Sequence, residues 1–134
     1  MMTAPAGKPV SLIALVIEND ATQRALITLG LARMGCSVIT AKDSDDARSL
    51  LEEKHPSLLV LDTYLPKTNG IDLLHQFKSA QLLTKCVVIM ISSYGFEEVV
   101  QQAIQAGAHD FLVKPIDVDL LIQRARMFLD RMKA

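Results

Sequence analysis

The chain has 134 residues, of which 50% are hydrophobic, so it can bury one substantial core and is close to the usual size of a single domain. Its 14 Lys and Arg residues nearly balance its 15 Asp and Glu residues, which excludes a global charge that would draw it onto nucleic acid or an anionic membrane. No apolar run approaches the roughly 18 to 20 residues of a membrane span. The first residues also lack the pattern of a signal peptide. We therefore expect a cytoplasmic protein.

Strand-like and helix-like segments alternate along the chain. Residues 1–8 have no periodicity, and we expect a disordered leader there, followed by one domain over residues 9–134. The predicted strands cover residues 10–17, 36–41, 58–61, 86–91 and 111–113. Because no hairpin signal separates them, the alternation predicts an α/β fold. We expect a flavodoxin-like doubly wound (βα)5 domain with a five-stranded parallel sheet of order 2-1-3-4-5.

The predicted helices follow the strands, and each has an apolar stripe that we expect to be buried. They cover residues 21–34, 43–54, 71–79, 96–106 and 117–133. The predicted stripe is Ala25, Leu26, Leu29 and Ala32 in the first helix, and Phe96, Val99, Val100, Ala103 and Ile104 in the fourth. The two cysteines, Cys36 and Cys86, have no metal-binding spacing and are expected to be buried free thiols.

Polar side chains follow four of the five predicted strands. They are Glu18, Asn19 and Asp20 after the first strand, Asp62 after the third, Ser92 after the fourth and Lys114 after the fifth. Open α/β sheets bind ligands at this edge, and the predicted order makes the first and third strands neighbours. Glu18 and Asp62 should therefore share a pocket. Taken singly, Asp62 and Asn19 could each have a structural role instead, because Asp62 can cap a turn and Asn19 can cap a helix.

The combination of these residues indicates phosphoryl chemistry. Crowded carboxylates need a cation, and oxygen ligands with room for water suit Mg²⁺. Lys114 adds a positive charge and Ser92 a hydroxyl donor, so both can hold phosphoryl oxygens while Asp62 attacks as the nucleophile. The pattern predicts an aspartyl phosphate, with Asp62, Lys114 and Ser92 as the catalytic residues.

These motifs resemble the receiver domain of bacterial two-component response regulators over about residues 11–132. The matching features are Glu18-Asn19 at the acidic pair, the phosphoacceptor Asp62, Pro66 and Gly70 in the following loop, Ser92, the segment Ala106-Gly107-Ala108, and Lys114-Pro115. The combination is specific to that family, although each motif alone is weak.

The resemblance implies a signalling function. Asp62 would accept a phosphoryl group from a histidine kinase or a histidine phosphotransfer protein in a phosphorelay. The implied cofactor is Mg²⁺, with Glu18, Asn19, Asp62 and the main-chain carbonyl of Tyr64 as ligands. The resemblance also implies a cis bond before Pro115 and a kinase docking site on the exposed side of the first helix, around Gln23, Arg24 and Ile27.

The resemblance further implies a conformational switch at Ser92 and Phe111. In the family these two positions move inward together after phosphorylation and alter the surface formed by the fourth helix, the fifth strand and the fifth helix. That surface would engage an output domain or a downstream protein. The sequence leaves open whether this chain forms a homodimer there, and whether it is a stand-alone receiver or part of a longer protein.

Two residues depart from the family pattern. Asn19 stands where the family has a carboxylate that binds the metal directly, so we expect weaker Mg²⁺ binding. Phe111 stands where a Tyr is common, and it keeps the ring but lacks the hydroxyl. A hydrophobic switch is still expected.

Other functions remain as alternatives. One is a pseudo-receiver, an interaction module that is not phosphorylated because Asn19 weakens the metal site. Another is a phosphatase that forms an aspartyl phosphate, but such enzymes usually have a second acid two residues after the nucleophile, where this chain has Tyr64. A flavodoxin-like cofactor binder is disfavoured because Glu18 and Asp20 would repel a phosphate. We expect a phosphoacceptor that acts only on itself, and no enzyme.

Overall fold

A computed structural model of the chain describes residues 12–133, so the predicted leader lies outside the described residues. The strands are β1 (Leu12–Ile17), β2 (Cys36–Thr40), β3 (Leu58–Asp62), β4 (Val87–Ser92) and β5 (Asp110–Val113). The helices are α1 (Ala21–Arg33), α2 (Ser44–Lys54), α3 (Gly70–Ser79), α4 (Glu97–Gln105) and α5 (Val118–Lys133). Within residues 12–133, no helix is both long and apolar enough to cross a membrane.

The strands form one parallel sheet of order β2-β1-β3-β4-β5, which confirms the predicted fold and strand order. Side chains alternate across each strand, and helices cover both faces. Leu59 and Leu61 belong to the core on the α2, α3 and α4 face, whereas Leu58 and Val60 belong to the core on the α1 and α5 face. Every residue of β3 is buried, so the strand that ends on Asp62 lies at the centre of the domain.

The buried face of α1 differs from the prediction. Ile27, Gly30 and Leu31 are buried, whereas all four residues of the predicted stripe are exposed, and Leu29 is 59% exposed. Apolar residues lie on all sides of this helix, so their spacing does not identify one face. Gly30 permits close packing on α5, since a Cβ there would lie 2.6 Å from Val118 Cγ1. Ile27 is completely buried, so the expectation that it forms part of an exposed kinase docking site was wrong.

The predicted stripe of α4 was also wrong in part. Ala103 is buried, but the Phe96 ring is 66% exposed and Ile104 is exposed as well. The helix packs beside β5, an edge strand of only four residues. That strand offers too little apolar surface to cover the whole stripe. The two cysteines are buried free thiols, as predicted, and burial raises the pKa of the Cys86 thiol to about 12.

The turn after β3 is folded tightly against the strand end. The Gly70 amide donates to the Thr63 carbonyl at 2.7 Å, and Asn69 Oδ1 accepts from the Ile71 amide at 2.8 Å and so caps α3. A Cβ on Gly70 would collide with the Asp62 carbonyl oxygen. Gly70 is therefore required because the backbone of Asp62 occupies the space of a side chain.

We predict that Gly70→Ala destabilises the domain by about 1–3 kcal/mol, because the added methyl group must displace backbone rather than a flexible side chain. Urea unfolding measures the effect. Ser79→Ala, at the exposed end of the same helix, is the control and should change stability by less than about 0.5 kcal/mol. Equal stability of the Gly70→Ala variant and the original chain would contradict the steric requirement.

Candidate functional site

Three charged side chains meet at the carboxyl edge of the sheet. Glu18 follows β1, Asp62 ends β3 and Lys114 follows β5. The Lys114 Nζ lies 2.7 Å from Glu18 Oε1 and 3.0 Å from Asp62 Oδ2. Glu18 is only 3% exposed and Asp62 only 4%. We call these three residues the carboxylate pocket, and the sequence prediction that they converge is confirmed.

The carboxylate pocket concentrates negative charge away from water. Burial raises the pKa of the Glu18 carboxyl, and its side-chain contact with Asp62 raises it further, while Lys114 opposes both effects. Burial disfavours the charged Lys114 ammonium, but its hydrogen bonds to Glu18 and Asp62 outweigh that effect and raise its pKa. Lys114 therefore remains charged and holds two carboxylates together that would otherwise repel each other.

Asp62 and its neighbour Tyr64 are also linked through the backbone. The Tyr64 amide donates to Asp62 Oδ1 at 3.3 Å, a longer contact than the 3.0 Å ion pair with Lys114. Asp62 therefore does cap the turn, as the alternative structural role predicts, but its shorter contact is with Lys114. Tyr64 is bridged to Asn69 across the loop, and its ring is exposed. The role of its main-chain carbonyl as a metal ligand stays a prediction.

Asn19 and Asp20 directly follow Glu18 after β1, and both are exposed. Asn19 is exposed and, with Glu18, lines a cleft of about 670 Å³. Asp20 Oδ1 accepts from the Gln23 amide at 2.9 Å, so this carboxylate caps α1. Arg24, which the resemblance placed only in a kinase docking site, donates to the Glu18 carbonyl at 2.9 Å and so links α1 to the turn after β1.

The oxygen donors of the site fit a hard cation such as Mg²⁺, but their charge is low. The buried donors are the carboxylates of Glu18 and Asp62, and the exposed Asn19 lines a cleft with Glu18. No group of three His, Cys, Asp or Glu side chains in the described part of the chain could hold a metal ion. Asn19 brings no charge, and the carboxylate of the next residue, Asp20, caps α1 instead.

Ser92 is completely buried and does not join the carboxylate pocket by a hydrogen bond. Its Oγ accepts from the Thr63 hydroxyl at 2.7 Å and from the Tyr94 amide at 3.0 Å. Sequence reasoning missed Thr63, because its position depends on the register between β3 and β4. Asp62 pairs with Ile91 in the sheet, which places the next residue, Thr63, opposite Ser92.

Phe111, the other predicted switch residue, is half-buried and packs against the core on the α2, α3 and α4 face. Near Ser92, three exposed rings form an aromatic cluster of Tyr64, Tyr94 and Phe96. The Tyr64 and Tyr94 ring centroids are 5.5 Å apart and edge to face, and those of Tyr94 and Phe96 are stacked at 6.0 Å. The sequence did not predict this cluster because Phe96 was assigned to a buried stripe. The bond between Lys114 and Pro115 is cis, as the resemblance implied.

Comparison with known proteins identifies relatives of this chain. The family model described as the response regulator receiver domain matches residues 14–126. The phosphate regulon transcriptional regulatory protein PhoB of Pseudomonas aeruginosa is 29% identical, and the transcriptional regulatory protein AfsQ1 of Streptomyces coelicolor 32%, each over 117 residues that cover 87% of this chain and 51% of the relative. The chain therefore spans about half the length of these curated relatives.

A solved structure shows the same similarity in three dimensions. The signal receiver domain of a Vibrio parahaemolyticus protein superposes with a TM-score of 0.84 at 27% identity, covering 92% of this chain and 94% of that one.

We predict that Lys114→Met lowers stability by about 2–4 kcal/mol near neutral pH, because two buried carboxylates lose their counter-charge. The loss should shrink in acid. Without Lys114 the pKa of Glu18 rises further above its ordinary value, so the folded protein binds the proton more tightly than the unfolded chain does, and stability falls as the pH rises above that ordinary value.

Urea unfolding at about pH 5 and about pH 8 measures this dependence. The matched control is Lys85→Met, an exposed lysine in the loop before β4. A loss of equal size at both pH values would show that Lys114 contributes through packing rather than through charge.

Proposed function

The chain belongs to the response regulator receiver domain family, and on that premise we propose that Asp62 accepts a phosphoryl group from a histidine kinase or a histidine phosphotransfer protein. The observation that carries the proposal is the carboxylate pocket. A buried aspartate at the end of the central strand is held 3.0 Å from a lysine ammonium. An ammonium so close to Asp62 would stabilise the negative charge of a phosphoryl group carried there, which supports the proposal.

In the proposed reaction, an Asp62 carboxylate oxygen attacks the phosphorus atom. A new O–P bond forms, the bond between phosphorus and the donor's histidine nitrogen breaks, and its electron pair stays with the imidazole. Lys114 remains beside the phosphoryl oxygens, and Ser92 donates its hydroxyl hydrogen to one of them. Glu18, Asn19, Asp62 and the Tyr64 carbonyl would hold Mg²⁺, whose charge offsets the repulsion between the phosphoryl donor and the carboxylates.

The proposed output is a change of surface and not turnover of a separate substrate. The chain would catalyse only its own phosphorylation and dephosphorylation. The kinase or phosphotransfer protein would dock beside α1, whose exposed side presents Leu26 and Leu29. Ser92 and Phe111 would transmit the change to α4, β5 and α5, the surface for an output domain, a downstream protein or a second copy.

We predict that the protein forms a beryllofluoride adduct in the presence of Mg²⁺ and an aspartyl phosphate with acetyl phosphate. ¹⁹F NMR detects the first, and intact-mass measurement with hydroxylamine sensitivity detects the second. Asp62→Asn should abolish both products. Asp72→Asn, an exposed aspartate in α3, should leave both unchanged.

If neither adduct forms, even at saturating Mg²⁺, the proposal is contradicted. It would favour the pseudo-receiver alternative, for which Asp62→Asn leaves partner binding unchanged.

We further predict that Asn19→Asp tightens Mg²⁺ binding on the order of tenfold, because it adds a negative charge beside Glu18. Calorimetric titration with MgCl₂ measures the dissociation constant. Gln76→Glu adds the same charge on the exposed side of α3 and serves as the control. Equal affinity of the Asn19→Asp variant and the original chain would show that position 19 does not contact the metal.

A further inference from the structure

The hydroxyls of Thr63 and Ser92 form a buried hydrogen bond that the reaction above does not use. Thr63 is 1% exposed and Ser92 is 0% exposed, and the Thr63 Oγ1 donates to the Ser92 Oγ at 2.7 Å. The Tyr94 amide donates to the same oxygen at 3.0 Å. Ser92 therefore accepts two hydrogen bonds from groups outside the carboxylate pocket.

The alternation of side chains across the sheet places this pair on the opposite face from Asp62. Along β3, Val60 points to the α1 and α5 face, whereas Leu61 points to the α2, α3 and α4 face. Asp62 follows the alternation of Val60, and Thr63 follows that of Leu61. The Thr63 amide still donates to the Ile91 carbonyl at 2.9 Å, so the ladder continues to this residue.

Ser92 lies on the same face as Thr63. On β4, Met90 belongs to the core on the α2, α3 and α4 face, and Ser92 is two residues further along the strand. Since Ser92 and Asp62 lie on opposite faces of the sheet, we expect the Ser92 hydroxyl to move away from Thr63 when it donates to a group carried by Asp62. We call its observed location the resting position.

We propose that Thr63 is a positioning residue that holds the Ser92 hydroxyl in the resting position and thereby sets how readily the domain accommodates a phosphoryl group. The role rests on the proposed function, since it concerns the same reaction. When Ser92 moves, the Thr63 hydroxyl is left in a buried site without its acceptor, and such a loss is unfavourable. A valine at position 63 has the same shape and no hydroxyl to leave unpaired.

The variant Thr63→Val should bind beryllofluoride about two- to tenfold more tightly at saturating Mg²⁺, the range expected for one net hydrogen bond. Thr63→Ser keeps the hydroxyl and should restore the original affinity. Thr84→Val removes a hydroxyl that bonds the Gln81 carbonyl in an exposed loop and is the matched control, with no expected change. Unchanged or weaker binding by Thr63→Val would overturn the proposal.

A double-mutant cycle separates positioning from general packing. In a Ser92→Ala background there is no hydroxyl to hold, so Thr63→Val should no longer alter beryllofluoride affinity. If the same tightening persists without the Ser92 hydroxyl, Thr63 acts by another route and the positioning role is wrong.

A second measurement needs no phosphoryl analogue. Releasing Ser92 should also weaken its bond from the Tyr94 amide, so hydrogen exchange at Tyr94 should be faster in Thr63→Val than in the original chain. If the original chain forms no beryllofluoride adduct, the proposed function fails, while faster Tyr94 exchange still supports the restraint on Ser92. Unchanged Tyr94 exchange would overturn that restraint whether or not the adduct forms.

Discussion

The ion pairs of Lys114 are the interaction on which the carboxyl edge of this domain depends. Two carboxylates, Glu18 and Asp62, are almost completely removed from water, and burying such charges is strongly unfavourable unless a partner neutralises them. The partner, Lys114, is 96 positions from Glu18 and 52 positions from Asp62 along the chain, so the sheet must be complete before the charges are compensated. One positive charge shared between two carboxylates leaves the pocket with a net negative charge. Metal binding and phosphoryl acceptance would both use that charge.

Much of the fold could be predicted because the strands are buried on both faces. A run such as residues 58–61, bounded by Pro56 and Pro66, indicates a central strand without any tertiary information. The parallel order followed from the alternation of strands and helices, and the order in turn predicted that Glu18 and Asp62 would meet. Faces of helices were harder to predict. In α1 the apolar residues surround the axis, and the buried side is selected by packing on the sheet and on α5, where Gly30 lies against Val118.

The parts of the site that the sequence did not reveal depend on register. Thr63 looks like an ordinary strand residue, and its relation to Ser92 follows only from the pairing of Asp62 with Ile91. Phe96 was expected in the buried stripe of the fourth helix, but α4 begins at Glu97 and Phe96 is the exposed residue that precedes it. Asn19 is different, since its uncharged side chain was visible in the sequence, and the weaker Mg²⁺ binding expected from it stays a prediction.

The aromatic cluster beside the pocket also gives the domain an intrinsic optical signal. The chain contains two tyrosines and no tryptophan, and both tyrosines, Tyr64 and Tyr94, lie in this cluster. Tyr64 follows Asp62 by two residues, and the Tyr94 amide is bonded to Ser92. Tyrosine emission from the native protein therefore originates in this cluster, which includes the residue two positions after Asp62. A change in the surroundings of these two rings would therefore alter the emission of the unlabelled chain, without a dye or an introduced fluorophore.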